Sequence, residues 1–343
     1  MTFKFPFVFA SVDVEAAHGS DPFDQMILGK TDDGQHWGVF EIAEMLEKYE
    51  STGTFFVDVY EDVFWGEARM KKLCQDLVRR GHDVQLHTHP SWRNDPRDSE
   101  DLNAFKAKHS RFPPEKDFMA KLTREEQTSF IAEGKTLLER WIEKPVIAHR
   151  SGGYSVNEDT IAALLENQIY IDSSMNGSHS NSKVNWSSNV PVRKGDMLEL
   201  PVTYYRLVLN KQFPKLYSRL MKTDLDSTPL WMLKDITQLF STSNISVLHL
   251  FMHSFTLLDM APDFSSFRKH QVRYQRMDDY LSYLKNNGWT VGGIETLTTF
   301  DNWEEKLLRN QHDKVPDYSD TSFLLRLIGL RVDRELKRMF RLS

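Results

Sequence analysis

Gly81-His82-Asp83-Val84-Gln85-Leu86-His87-Thr88-His89-Pro90 is the stretch on which the reading of the fold turns. Asp83 to His87 has the look of a strand, and Pro90, lacking an N–H, ends any ladder just beyond it. A helical pattern over Glu67–Arg80 leads into it. Working outward, further strand-like runs occupy Phe7–Val12, Thr54–Val59, Val146–His149, Ile169–Asp172, Ser246–Met252 and Thr290–Thr298. Helical patterns fall between them at Val39–Tyr49, Arg124–Glu143, Glu158–Glu166 and Phe267–Asn286. In the second of these, Thr123 with Glu126 makes a capping box, Phe130, Leu137, Leu138 and Trp141 form the apolar stripe, and Pro145 follows its end. Strand–helix alternation of this kind predicts an α/β fold whose mostly parallel sheet closes, or nearly closes, into a barrel.

Two stretches break the alternation. Arg93–Asp117 is polar, holds Pro96, Pro113 and Pro114, and reads as a long loop beside His87 and His89. Tyr204–Asn244 reads as an inserted helical segment or cap. The expected organisation is therefore a barrel over residues 1–300, carrying the 204–244 insertion, followed by a basic amphipathic tail over 301–343. In Phe323–Ser343, apolar residues alternate with Arg326, Arg331, Arg334, Lys337, Arg338 and Arg341. Such a helix can lie on an anionic membrane or pack against the body or a second subunit.

Composition narrows the function. The 343 residues are 40% hydrophobic and 27% charged, as in a globular protein with a sizeable core. A formal net charge of −6 argues against nucleic acid as the main partner. The single cysteine, Cys74, excludes an internal disulfide and a multi-thiolate zinc site. No run approaches membrane-spanning length, and the apolar start gives way to Asp13 and Glu15 without a cleavage site, so it reads as a first strand and the expected location is cytoplasmic.

The chemistry-bearing residues sit at strand exits. Asp13 and Glu15 are two apart after an apolar run, so both side chains would face the same side at the mouth of a barrel. His87 and His89 share that spacing and can converge on a metal. Arg150 precedes the Ser151-Gly152-Gly153-Tyr154 turn, Asp172 ends the next strand, and His249 and His253 share one face of another. Each has an ordinary alternative: a helix cap for Arg150, an N-cap for Asp172, a satisfied core position for His249.

Taken in order, Ser-Val-Asp-Val-Glu, Thr52-Gly-Thr-Phe-Phe-Val57, Gly-His-Asp-Val-Gln-Leu-His-Thr, Arg-Ser-Gly-Gly-Tyr, Asp-Ser-Ser and Met-His-Ser resemble the polysaccharide deacetylases, carbohydrate esterase family four. The resemblance runs from Phe7 to Leu297, leaving out Tyr204–Asn244 and the tail. It implies a deformed (β/α) barrel of about seven strands and a divalent metal, most often Zn2+. It further implies Asp13 as catalytic base, Arg150 as the residue orienting it, His253 as general acid and Asp172 as the acid's partner. Glu15, His87 and His89 would bind the metal. The sequence departs from the family in placing Glu15 one residue beyond the position adjacent to the base. It departs again in having Ser91 where a second histidine would stand, four residues after the first, so that His89 must substitute.

The implied reaction is metal-assisted removal of an N-acetyl or other N-acyl group from an amino sugar, with a backbone N–H of the Ser151–Tyr154 turn facing the oxyanion and Gly153 of that turn among the substrate-binding residues. Trp92, Tyr154, Trp186, Tyr204 and Tyr205 supply aromatic faces suited to sugar rings or to core packing; Trp92 and Tyr154 are the expected substrate contacts. A lipid-linked or nucleotide-linked sugar used in surface polysaccharide assembly fits a cytoplasmic enzyme, with the 323–343 tail as a membrane contact. Two other readings stand beside this one: a deformylase or ureide hydrolase on the same barrel, and a sugar-binding protein that has lost its metal.

Overall fold

The computed structural model describes residues 7–16, 23–92, 117–208, 218–242, 247–261, 264–308 and 315–319. The basic segment 323–343 and nearly all of the 93–117 loop lie outside them.

Strands β1 (Phe7–Val14), β2 (Thr54–Asp58), β3 (Asp83–Thr88), β4 (Ala148–Ser151) and β5 (Ile171–Asp172) pair in parallel in chain order. All residues of β1, β2 and β3 are buried, as a parallel sheet covered on both faces requires. Beyond β5 come β6 (Val192–Lys194) and β7 (Met197–Glu199), the latter parallel to β5. On the other side of β1 lies β10 (Val247–His253), parallel over Phe7–Asp13. The sheet order is β10-β1-β2-β3-β4-β5-β7-β6, with β13 (Thr290–Gly292) pairing the start of β1. The ends are joined by side chains instead of a ladder: the Thr203 hydroxyl accepts from the His249 N–H at 2.8 Å, and the Thr223 hydroxyl donates to the His249 carbonyl at 2.8 Å. The result is the expected deformed, mostly parallel barrel.

The helix Arg124–Ile142 carries the predicted capping box, and Glu143 closes it in a left-handed conformation with φ 56°. Its buried face, including Phe130, Leu138 and Trp141, packs into the main core. Among the described residues no helix is long and apolar enough to cross a membrane.

Three expectations are corrected. The insertion is not wholly helical: β8 (Tyr204–Val208) and β9 (Ser218–Lys222) pair antiparallel, and among its described residues only Leu230–Thr242 is α-helix. The run Tyr-Tyr-Arg-Leu-Val is rich in strand-favouring residues, and Tyr205 and Leu207 are fully buried. The segment Phe267–Asn286 begins as β12 (Phe267–Lys269), paired with β11 (Leu258–Met260), and its helix starts only at Gln271, capped by His270. Thr290–Thr298 is strand only to Gly292, where Gly293 leads into a short helix, Ile294–Thr298. The described part of 301–343 packs on the body: Trp303 and Leu307 join the core cluster of Phe7 and Phe9, and β14 (Asp317–Ser319) pairs with β8.

Candidate metal and catalytic centre

Strand exits gather the polar residues. The register sets Asp13 of β1 opposite His253 of β10, and His87 of β3 between Asp58 of β2 and Arg150 of β4. Glu15 follows two residues after Asp13, and its Oε2 lies 2.9 Å from His87 Nε2 and 2.8 Å from His89 Nε2. Ligand atoms of Glu15, His87 and His89 all fall within 4.8 Å of one another. Small side-chain movements would bring all three onto one divalent ion at bond lengths of about 2.0–2.2 Å.

The far side of each imidazole is tied down. His87 Nδ1 donates to the Arg150 carbonyl at 2.8 Å, and His89 Nδ1 faces Asp117 Oδ2 at 3.3 Å. Both Nε2 atoms are thereby presented to Glu15, the arrangement by which outer partners orient metal-ligating histidines. Asp117 is itself held by the Ser91 N–H at 3.0 Å. The backbone of the residue that interrupts the usual histidine spacing therefore fixes the carboxylate that orients His89. Gly152 explains the first glycine of the turn, since a Cβ there would run into the His89 ring.

Burial works against charge here, and the neighbours overcome it. Glu15, though buried, is held well below the usual carboxylate range by the His89 charge and by hydrogen bonds from both histidines. His89 is likewise raised well above the ordinary imidazole value by Asp117 and Glu15 despite its burial. A divalent cation would take the place of that proton, since metal and acid compete for such a donor set. The residues fit the group.

Asp13 lies beside this trio, its Oδ2 4.0 Å from His87 Nε2, and its Oδ1 accepts from Arg150 Nη1 at 2.6 Å. The fully buried Arg150 spends all its N–H groups on fixed acceptors. Nε donates to the Ser173 carbonyl, Nη1 also to Ser11 Oγ, and Nη2 to Ser173 Oγ and His249 Nε2. His249 can accept because it is neutral: burial, then the Arg150 charge, push it well below its ordinary value, and Nδ1 donates to the Pro201 carbonyl at 3.2 Å. The core position considered for His249 thus clamps the arginine.

His253 closes the opposite side, Nε2 3.6 Å from Glu15 Oε1. Its acidic neighbour is not Asp172. Asp172 is fully buried and occupied by His149 Nδ1 at 3.0 Å and Ser174 Oγ at 2.7 Å. Asp226 takes the place, with Oδ2 3.5 Å from His253 Nδ1, a charge contact longer than a well-formed hydrogen bond. Burial opposes the charge on His253, but Asp226 and Glu15 raise it above its usual value. Asp226 reaches the site because the chain after β9 bridges in parallel to β10, Asp224 against Phe251.

Of the expected substrate contacts, Gly153 is exposed and its turn adopts φ 58° at both Gly153 and Tyr154. Tyr154 is mostly buried with its hydroxyl accepting from Lys222 Nζ at 3.0 Å. Trp92 is corrected: at 1% exposure it belongs to the hydrophobic core, so it offers no face to a sugar. Sequence reasoning missed Asp58, Asp117 and Asp226. Asp58 is fully buried at the exit of β2, where an acidic residue ending a strand was a usable signal; its Oδ2 has no hydrogen bond, and burial, then Glu61, raises its carboxyl well above the usual range.

A family profile described as polysaccharide deacetylase matches residues 21–170. Among solved structures, the chain is similar to a protein of Mycobacterium smegmatis named for the polysaccharide deacetylases. The two are 14% identical with a TM-score of 0.54, covering 92% of this chain and 96% of that one. It is also similar to a family 4 carbohydrate esterase from Streptomyces lividans in complex with acetate (10% identity, TM-score 0.43, 84% of this chain and 93% of that one). A family 4 pseudoenzyme from Bacillus anthracis aligns at 11% identity and a TM-score of 0.42, over 92% and 69% of the two chains. No curated protein matches the sequence.

Proposed function

We propose that this chain, whose residues 21–170 match the polysaccharide deacetylase profile, is a metal-dependent amidase removing an N-acetyl or other N-acyl group from an amino sugar. One observation carries the reading: Glu15, His87 and His89 converge within 4.8 Å, with both histidines held from behind.

Glu15, His87 and His89 would hold a zinc-like ion, which would supply Lewis acidity toward the acyl carbonyl and water. Asp13 accepts the proton of that water at the carboxylate oxygen not held by Arg150. Arg150, rigid within its ring of acceptors, keeps the carboxylate aimed at the cleft. A backbone N–H of the Gly152–Tyr154 turn donates to the developing oxyanion. His253 delivers a proton from Nε2 to the leaving amine, and Asp226 stabilises the charged imidazole from Nδ1. The substrate fits a lipid- or nucleotide-linked sugar of surface polysaccharide assembly.

The test is metal analysis of protein purified without chelators, followed by acetate release from N-acetylated amino-sugar oligomers. We expect about one zinc per chain and release that Asp13→Asn lowers by several orders of magnitude while the metal stays bound. A metal-loaded Asp13→Asn protein as active as the parent would refute the assignment. A sugar-binding protein without hydrolysis would carry no stoichiometric metal.

A further inference from the structure

Lys222 ends strand β9, outside the stretch matched by the family profile. Its ammonium donates to Tyr154 Oη at 3.0 Å, stands 4.0 Å from the centre of the Phe251 ring, and lies 3.7 Å from Asp224 Oδ2. The Phe251 ring is in turn 4.7 Å from His253 and 5.3 Å from the Arg150 guanidinium. The cation is thus one aromatic ring away from both the acid and the clamp of the base. Its side chain keeps 26% of its surface exposed.

The donors there are not used up. An ammonium has three N–H groups. Tyr154 takes one, Asp224 is beyond hydrogen-bond length, and Asp224 Oδ1 already accepts from the N–H and hydroxyl of Ser227. Because Lys222 donates to Tyr154, the tyrosine's own O–H remains a donor, polarised by the neighbouring charge. Burial lowers the Lys222 ammonium, yet Tyr154 and Asp224 raise it above its ordinary value, so it is charged throughout the neutral range. Tyr154 Oη is its one hydrogen-bond acceptor among the described residues and Asp224 pairs with it at 3.7 Å, so N–H groups remain for a ligand.

We propose that Lys222 and Tyr154 form a subsite for an anionic oxygen group, carboxylate or phosphate, carried by the sugar next to the acyl amide. The assignment makes Lys222 a specificity-determining residue and rests on the reading of this cleft as an amino-sugar site. A ring carboxylate and a phosphate linking the sugar to a carrier present the same chemistry to it.

Titration calorimetry on zinc-loaded protein with N-acetylglucosamine, N-acetylglucosaminuronate and N-acetylglucosamine 1-phosphate tests it without needing turnover. At least one anionic sugar is expected to bind on the order of tenfold more tightly than the neutral one, the size of one charge-assisted hydrogen bond. Which of the two wins identifies the source of the anion. Lys222→Met should bring that ratio close to one, and Tyr154→Phe, which keeps the ring packing, should lower it less. Equal affinities in the parent protein overturn the proposal, as does an advantage that survives in Lys222→Met, which would assign the anion to the metal instead. If anion preference appears without acetate release, the hydrolytic reading fails and the subsite stands.

Discussion

At the scale of single residues, the site depends on which groups hold the ligands from behind. A side chain on Gly152 would collide with the His89 ring, so Gly152→Ala should displace that imidazole and weaken zinc binding by roughly 10–100-fold, as loss of ligand orientation does. Competition against a chromogenic chelator reads this directly, and unchanged affinity would show that His89 is not a ligand. Asp226 and Asp172 separate in the same way. Asp226→Asn should lower turnover on the order of a hundredfold, because the general acid loses its charge partner. Asp172→Asn should instead cost about 1–3 kcal/mol of stability through the His149 and Ser174 bonds. A folded Asp172→Asn protein with the larger kinetic defect would reverse the two roles. The sequence pointed to Asp13, Glu15, His87, His89 and His253 because strand exits and a spacing of two are visible in it. Asp117 and Asp226 were not visible, since they reach the site from a loop and an insertion that carry no periodic signal.

At the scale of elements, β3 bears a titratable strain at its start. Asp83 is buried, and its carboxyl is raised by that burial from 3.8 to about 6, although Thr54 and Gln85 donate to it at 2.8 and 2.7 Å. A folded value above the unfolded one means the native state binds this proton more tightly. The contribution to stability is therefore full below pH 3.8 and is lost as pH rises through about 6. The difference amounts to about 3 kcal/mol. Chemical denaturation of Asp83→Asn and the parent across pH 4 to 7 should show the variant gaining relative stability as pH rises. Parallel curves would place Asp83 in contact with water. Elements with strong local signals were the legible ones, above all the helix announced by the capping box of Thr123 and Glu126. The antiparallel β8–β9 pair was not legible because each strand is only five residues long and β9, exposed to half-buried, shows no apolar face. At Gly292-Gly293 the glycine pair separates the strand from the short helix Ile294–Thr298, a break that the reading of Thr290–Thr298 as one strand ran through.

At the scale of the whole molecule, the barrel supplies ligands and base while the insertion supplies the partner of the acid and the cation beside it. Asp224–Phe251 bridging brings both Lys222 and Asp226 to β10. No ladder joins β7 to β10 among the described residues; Thr203 and Thr223 span the gap at His249, and the Asp224 bridge enters there. Strand alternation made the barrel legible, since each β–α unit announces itself locally. Closure through side chains did not, because it joins residues distant in sequence that have no shared pattern. The central claim, one divalent cation gripped from β1 and β3 with His253 facing it, is tested most directly by diffraction from zinc-grown crystals on both sides of the zinc absorption edge. The account predicts a single anomalous peak within bonding distance of Glu15, His87 and His89. A map without that peak, or with zinc held by other side chains, would contradict it.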